Sequence, residues 1–191
     1  MPGSARRQAH QVRIIGGTWK RTRLEVPDRP GLRPTPDRVR ETLFNWLGQD
    51  LSGWRCVDAF AGTGALGLEA ASRGAADVLL VEADAGLAER LRAHVARLGA
   101  TTVHVQRGDG VTALKALPPG RADLVFLDPP FDGGLFEPAL AAAVPALAGT
   151  GLLYLEAPRA WEAPELAPLG LVPHRHLRAG AVHAHLLRRA A

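Results

Sequence analysis

A short apolar strand that runs straight into a glycine turn and then a helix admits few folds. Residues 57–67, Val57-Asp58-Ala59-Phe60-Ala61-Gly62-Thr63-Gly64-Ala65-Leu66-Gly67, have that form. Gly62, Gly64 and Gly67 match G-x-G-x-x-G, whose glycines let the backbone approach a ligand at a helix N-terminus. From Arg55 onward, apolar or β-branched runs near 55–60, 77–82, 101–106, 122–128 and 151–156 alternate with helical stretches, which predicts a parallel sheet covered by helices. Gly74 and Gly99 each sit just past an Ala/Leu/Arg-rich stretch, where a left-handed glycine ends a helix. Segments 171–177 and 181–187, separated by Arg178-Ala179-Gly180, read as an antiparallel hairpin that closes the sheet.

The acids around the turn narrow the ligand. Asp58 lies at a strand end, four residues before the first glycine, and suits the ammonium of a methionine moiety, which NAD does not possess. Glu82 ends the next strand and can accept hydrogen bonds from ribose hydroxyls, which NAD and S-adenosylmethionine share. Asp109, in Arg107-Gly108-Asp109-Gly110, follows the third strand and can accept from an adenine amine or cap the next helix. Ligands in such sheets bind beyond the carboxyl ends of the strands, so these three acids converge on one crevice. The expected ligand is S-adenosylmethionine, with S-adenosylhomocysteine as product. An NAD-dependent dehydrogenase is disfavoured, because no hydride-transfer acid/base pair accompanies the glycines.

The most specific signal is Asp128-Pro129-Pro130-Phe131, which follows the apolar strand Leu124-Val125-Phe126-Leu127. An exocyclic base amine is a poor nucleophile because its lone pair is delocalised into the ring. Asp128 and the Pro129 carbonyl can accept both amine hydrogens, which draws the nitrogen toward tetrahedral geometry. The two prolines stiffen the backbone, so the acceptors stay in place. Phe131 offers a face for the base to stack on. A sulfonium methyl is already activated, so positioning and exclusion of water are the main tasks left, and no metal is required.

With 191 residues, 47% of them hydrophobic, the chain fits one α/β domain with a short appendage. No stretch approaches the roughly 20 apolar residues of a membrane span, and Arg6 and Arg7 are followed by no apolar run, so a cytoplasmic location is expected. Cys56, the only cysteine, leaves neither an intramolecular disulfide nor a thiolate zinc site. The net charge of +4 hides an asymmetry: residues 1–50 hold ten Arg or Lys against five Asp or Glu, while residues 51–191 hold thirteen against fourteen. Arg6, Arg7, Arg13, Lys20, Arg21 and Arg23 all precede the first acid, as a phosphate-contacting arm or a merely solvated face would have it. Val12–Ile15 and Arg23–Val26 flank Gly16-Gly17 and suggest a hairpin; Pro27, Pro30, Gly31 and Pro34 form a linker. Thr35 is expected to cap a helix beginning at Pro36, with Val39, Leu43, Trp46 and Leu47 on its apolar face and Arg38, Arg40, Glu41 and Asn45 on the other.

The run Val12-Arg13-Ile14-Ile15-Gly16-Gly17-Thr18-Trp19-Lys20, followed by Gly31-Leu32-Arg33-Pro34-Thr35-Pro36-Asp37-Arg38-Val39-Arg40-Glu41-Thr42-Leu43-Phe44-Asn45-Trp46-Leu47, closely resembles the RsmD family, bacterial small-subunit ribosomal RNA guanine-N2 methyltransferases. The likeness continues through Phe60–Ala70 to Asp128-Pro129-Pro130-Phe131, covers roughly residues 12–135, and is diffuse beyond 136, where Glu156 is similar to the family's strand-five ending. It implies an α/β, class I S-adenosylmethionine-dependent methyltransferase (Rossmann-like) fold. The sheet would be seven-stranded and mainly parallel with an antiparallel C-terminal hairpin. A basic N-terminal β-hairpin extension and linker would span 1–34, and the methyltransferase domain 35–191.

The resemblance further implies a monomer that methylates N2 of a guanine in a 16S rRNA hairpin loop, within an assembled or nearly assembled small ribosomal subunit and away from any membrane. By position it assigns Asp128, Pro129, Pro130 and Phe131 to the amine site, and Asp58, Phe60, Gly62, Gly64, Glu82 and Asp109 to the donor site. Arg13, Lys20, Arg21, Arg23, Arg33 and Arg38 become candidate RNA contacts, with Thr35 and Arg38 passing the pocket on either the donor or the RNA side. Two alternatives stay open. One is an amino-methyltransferase of another RNA or of DNA, although a DNA enzyme would usually need a target-recognition domain for which the chain has no room. The other is an RNA-binding protein with the fold but no activity, against which stands the intact set of site residues.

The C-terminal segment raises a separate question. If its hairpin turns tightly at Ala179-Gly180, pairs whose numbers sum to 359 face one another. His174, His176, His183 and His185 then share one side, with Leu177 and Val182 on the other. Such a cluster has the geometry of a metal site. A solvated polar face is the preferred reading, and no metal is expected.

Overall fold

The computed structural model describes residues 11–191; Arg6 and Arg7 lie outside them. Seven strands form one sheet: β3 (Arg55–Asp58), β4 (Asp77–Glu82), β5 (Val103–Arg107), β6 (Ala122–Leu127), β7 (Leu147–Ala157), β8 (Leu171–Ala179) and β9 (Val182–Arg189). Their spatial order is β5-β4-β3-β6-β7-β9-β8. The first five are parallel, and β9 runs antiparallel to both β7 and β8. The order reverses between β3 and β6, which makes the carboxyl ends of those two strands the topological switch point. Among the described residues no helix is long and apolar enough to cross a membrane.

The central strands read as continuous apolar runs because both faces of the sheet are covered. Cys56, Leu124 and Phe126 face one layer, while their neighbours Val57, Val125 and Leu127 face the other. On the first face lie α1 (Asp37–Leu47), α2 (Ala65–Ser72) and α3 (Ala85–Leu98). On the second lie α4 (Gly110–Ala116) and α5 (Phe136–Ala146). Every loop after a parallel strand therefore emerges on the same edge, which is where the acids stand.

The N-terminal hairpin pairs β1 (Gln11–Arg13) with β2 (Arg23–Glu25), Val12 opposite Leu24, in shorter strands than the sequence suggests. Val12, Ile14, Leu24 and Val26 are buried in the same apolar layer as α1 and α2. A buried carboxylate fixes the attachment. Glu69 of α2 accepts from the backbone N–H groups of Ile15 and Gly16, both at 2.8 Å, from Arg73 Nε at 2.9 Å and from Arg40 at 3.3 Å. Gly17, with φ of 76°, lies so close to α2 that an added Cβ would fall 1.8 Å from the Ser72 carbonyl oxygen.

Two expectations for α1 are corrected here. Arg40 does not share the solvent face with Arg38; it is 0% exposed and pairs with Glu69 and Asp37 while donating to the carbonyls of Arg13 and Thr35. Thr35 does not cap the helix. Pro36 occupies the cap position with no side-chain hydrogen bond, and the Thr35 hydroxyl donates instead to Glu156. Removing one partner of a buried ion pair strands the other charge, which costs about 3–5 kcal/mol. Glu69→Ala is therefore expected to lower the melting temperature by roughly 10 °C. A calorimetric shift under 2 °C would show that the network carries no such energy.

The C-terminal hairpin also departs from the expected register. Ala179 pairs with Val182 and His176 with His185, so the turn is centred on Gly180-Ala181 and the pairs sum to 361 instead of 359. A bulge between Pro173 and Arg175 takes His174 out of the regular ladder. His176, His183 and His185 remain neighbours, with His176 Nε2 and His183 Nδ1 2.9 Å apart. His185 is buried, and its Nε2 accepts the backbone N–H of Trp161 at 3.0 Å. Burial, chiefly, pushes its imidazole down to about 4, so it stays neutral and able to accept at neutral pH.

Candidate active site

The expected donor half of the site lies on β3, β4 and the turn into α2. Gly64 has φ of 81°, a left-handed backbone that a side chain rarely adopts, and Leu91 and Leu68 fill the space a Cβ would need. Glu82 locks the same turn from the neighbouring strand. Its two oxygens accept the N–H groups of Gly62 and Asp84, both at 2.8 Å, and the remaining lone pairs can receive two vicinal hydroxyls. Phe60 lies half-buried between the turn and the start of α4.

Asp58 is 1% exposed. Its Oδ2 accepts the Gly67 N–H at 3.1 Å, while its Oδ1 is buried without a partner among the described residues. A buried carboxylate oxygen left unpaired is costly, and an entering cation relieves that cost. Burial, and behind it the charge of Glu82, pushes the Asp58 carboxyl up to about 7.

The expected acceptor half lies at the ends of β6 and β7. Asp128 follows Leu127 at the switch point, half-buried, beside the ends of β3 and β7. Its carboxyl is held well above the usual range by burial and by the charges of Glu156 and Asp58. Glu156, buried near the end of β7, accepts the hydroxyls of Thr35 at 2.5 Å and Tyr154 at 2.9 Å, and burial raises it too. Asp58, Asp128 and Glu156 thus oppose one another's ionisation in one crevice. The donor set fits S-adenosylmethionine, whose ammonium and sulfonium bring the positive charge these acids lack. Phe131 is 44% exposed, the one large hydrophobic side chain so exposed among the described residues.

The other predicted residues divide by position. Asp109 stands at the same edge but caps α4, accepting the Thr112 N–H at 2.7 Å, so helix capping already occupies part of its carboxylate. The linker crosses the donor side: Arg29 pairs with Asp84, and Leu32 lies against Gly62. Arg33 on this linker and Arg38 in the first turn of α1 are exposed. Arg13 pairs with Asp37 at 2.8 Å. Lys20, Arg21 and Arg23 are exposed, and Lys20 lies by Arg73, the length of α2 from the glycine turn, or about 12 Å.

Sequence reasoning missed the tie from Thr35 to Glu156 and the Tyr154 hydroxyl beside it. The signal was present, since Glu156 ends a strand as the other acids do.

The Conserved hypothetical protein 95 family matches residues 12–188, well past the point where the resemblance becomes diffuse by eye. Ribosomal RNA small subunit methyltransferase D of Escherichia coli (strain K12) is 43% identical over 185 residues, 95% of this chain and 91% of that protein. The protein of the same name from Haemophilus influenzae is 42% identical over 135 residues, 69% of each chain. The solved structure of Escherichia coli yhhF superposes with a TM-score of 0.82 at 41% identity, covering 95% of this chain and 99% of that one. A precorrin-6y C5,15-methyltransferase from Geobacter metallireducens, at 17% identity and a TM-score of 0.68, shares the fold over 87% of this chain and 94% of its own.

Proposed function

Because the chain belongs to the RsmD family and is an S-adenosylmethionine-dependent methyltransferase of ribosomal RNA, we propose that its acceptor is the exocyclic N2 amine of a guanine in 16S rRNA. The observation that carries the reading is that Asp128 stands beside Asp58 at the switch point, where Asp58 keeps one buried oxygen without a partner among the described residues. When bound, S-adenosylmethionine supplies a methyl group already activated as a sulfonium. Asp58 would hold its ammonium and Glu82 its ribose. Asp128 and the Pro129 carbonyl accept the amine hydrogens, Pro130 keeps that acceptor pair rigid, and Phe131 supports the base. Asp128 would also take the proton that leaves the amine.

The substrate in this reading is an assembled or nearly assembled small subunit, met by a monomer in the cytoplasm. The test is transfer of a labelled methyl group to small-subunit particles from cells lacking the gene, followed by mapping of the modified nucleotide. A single N2-methylguanine in 16S rRNA is expected. Label on another base, or none, would overturn the assignment.

The basic residues of the hairpin and linker would position the RNA by phosphate contacts. Alanine at Lys20, Arg21 and Arg23 together is expected to weaken RNA binding roughly tenfold at low salt and to flatten its salt dependence, without changing donor affinity. Arg33→Ala with Arg38→Ala does the same. Unchanged RNA affinity in 50 mM salt would remove the arm from the binding surface.

A further inference from the structure

Beyond Phe131 the acceptor edge continues as a row of rings that the proposed chemistry does not use. Phe131 and Phe136 have ring centroids 6.2 Å apart, Phe136 and Trp161 are 6.2 Å apart, and the Arg159 guanidinium lies 4.6 Å over the Trp161 ring. The row bridges the loops after β6 and β7, two neighbouring strand ends. A groove of about 340 Å³ runs along it, lined by Gly134, Phe136, Glu137, Pro158, Arg159 and Trp161. That is within the range of small-ligand sites, which begin at roughly 300 Å³.

The row is held from beneath. Trp161 is buried, its backbone N–H is fixed by His185, and the exposed Arg159 is steadied by Glu165 at 2.8 Å.

From this placement we propose that the groove receives the unpaired base next to the target guanine, stacked on the Arg159 guanidinium plane and the Phe136 edge. The inference rests on the proposed RNA reading and deepens it. Charge selects a base over a phosphate: Glu137 lines the groove and Glu165 already neutralises Arg159, so no free positive charge faces it. Continuity selects RNA. A nucleotide whose neighbour stacks on Phe131 has this groove within one backbone step, and single-stranded bases are read by stacking on aromatic rings and guanidinium planes. The same seat would help keep the target base splayed out, since a flipped nucleotide loses its stacking partners in the RNA.

The test uses the full chain and a fluorescein-labelled single-stranded RNA octamer with one central guanine among adenines, with fluorescence anisotropy in 100 mM salt. Two further octamers carry an abasic site on one or the other side of the guanine. Wild type is expected to bind the intact octamer roughly tenfold more tightly than the octamer abasic on the favoured side. Arg159→Ala and Phe136→Leu, both with wild-type circular dichroism and donor affinity, bind the two alike. Equal binding of all three octamers by wild type, or discrimination that persists in both variants, overturns the proposal. Normal methylation of particles with no discrimination would sink the groove alone. Discrimination without methylation of particles would instead sink the enzymatic reading of the site.

Discussion

An Asp128→Ala variant is expected to lose methyl transfer by on the order of 10³-fold while binding S-adenosylmethionine as wild type does. The two halves of the site explain the split. In the proposed arrangement the donor contacts would come from β3, β4 and the glycine turn, whereas Asp128, which follows β6, would face the amine. Asp128→Asn keeps one carbonyl acceptor and the local shape, so its loss is expected to be smaller, about 10–100-fold. Single-turnover rates with saturating donor, beside donor affinities from calorimetry, separate the two effects. Full activity in the alanine variant would remove Asp128 from the chemistry; equal losses in rate and donor affinity would place it in the donor pocket.

The reach of the sequence is set by how local each cause is. The strand ends were legible because both faces of the sheet are buried, so β4 and β6 read as unbroken apolar runs. Asp58, Glu82 and Asp128 followed, since a strand end and the residue on it are sequence-local facts. Arg40 was not legible. Its position among Arg38, Glu41 and Asn45 says solvent, and its buried carboxylate partner, Glu69, is 29 residues away. Thr35 misled for the same reason, because its partner Glu156 is 121 residues distant. The hairpin register failed more narrowly. Moving the turn by one residue changes each residue's partner by two, which preserves the side it faces, so the histidines still cluster, but the bulge at 173–175 has no signature in an isolated strand. The full Phe131-Phe136-Trp161 row was invisible because Trp161 joins the two phenylalanines only through the β6–β7 pairing.

The acids that opposed one another's ionisation lead to the second large effect, which concerns proton linkage at Asp58. Its folded-state value of about 7 lies above the ordinary 3.8, mainly through burial. For a raised acid the sign is fixed: the folded protein binds the proton more tightly, so stability falls as pH rises from about 4 through 7. Asp58→Asn should therefore stabilise the free protein at pH 8, by at most roughly 4 kcal/mol at 1.36 kcal/mol per unit, and the gain should shrink toward zero near pH 4.

Donor binding runs the other way. Below pH 7 an incoming ammonium meets a protonated Asp58 and must release that proton, so affinity should fall toward about tenfold per pH unit. At pH 8 no proton is released. Calorimetric titration at pH 6 in two buffers of different ionisation enthalpy should show close to one proton released per donor bound in the wild-type protein. The Asn variant should bind the donor at least about 100-fold more weakly and release none. A melting temperature that Asp58→Asn lowers at pH 8, together with donor affinity flat between pH 6 and 8, would mean that the unpaired oxygen of Asp58 does not face the donor. If instead the variant is more stable and blind to the donor, the strain at the switch point exists because the fold holds an anion ready for a cation that arrives with the methyl group.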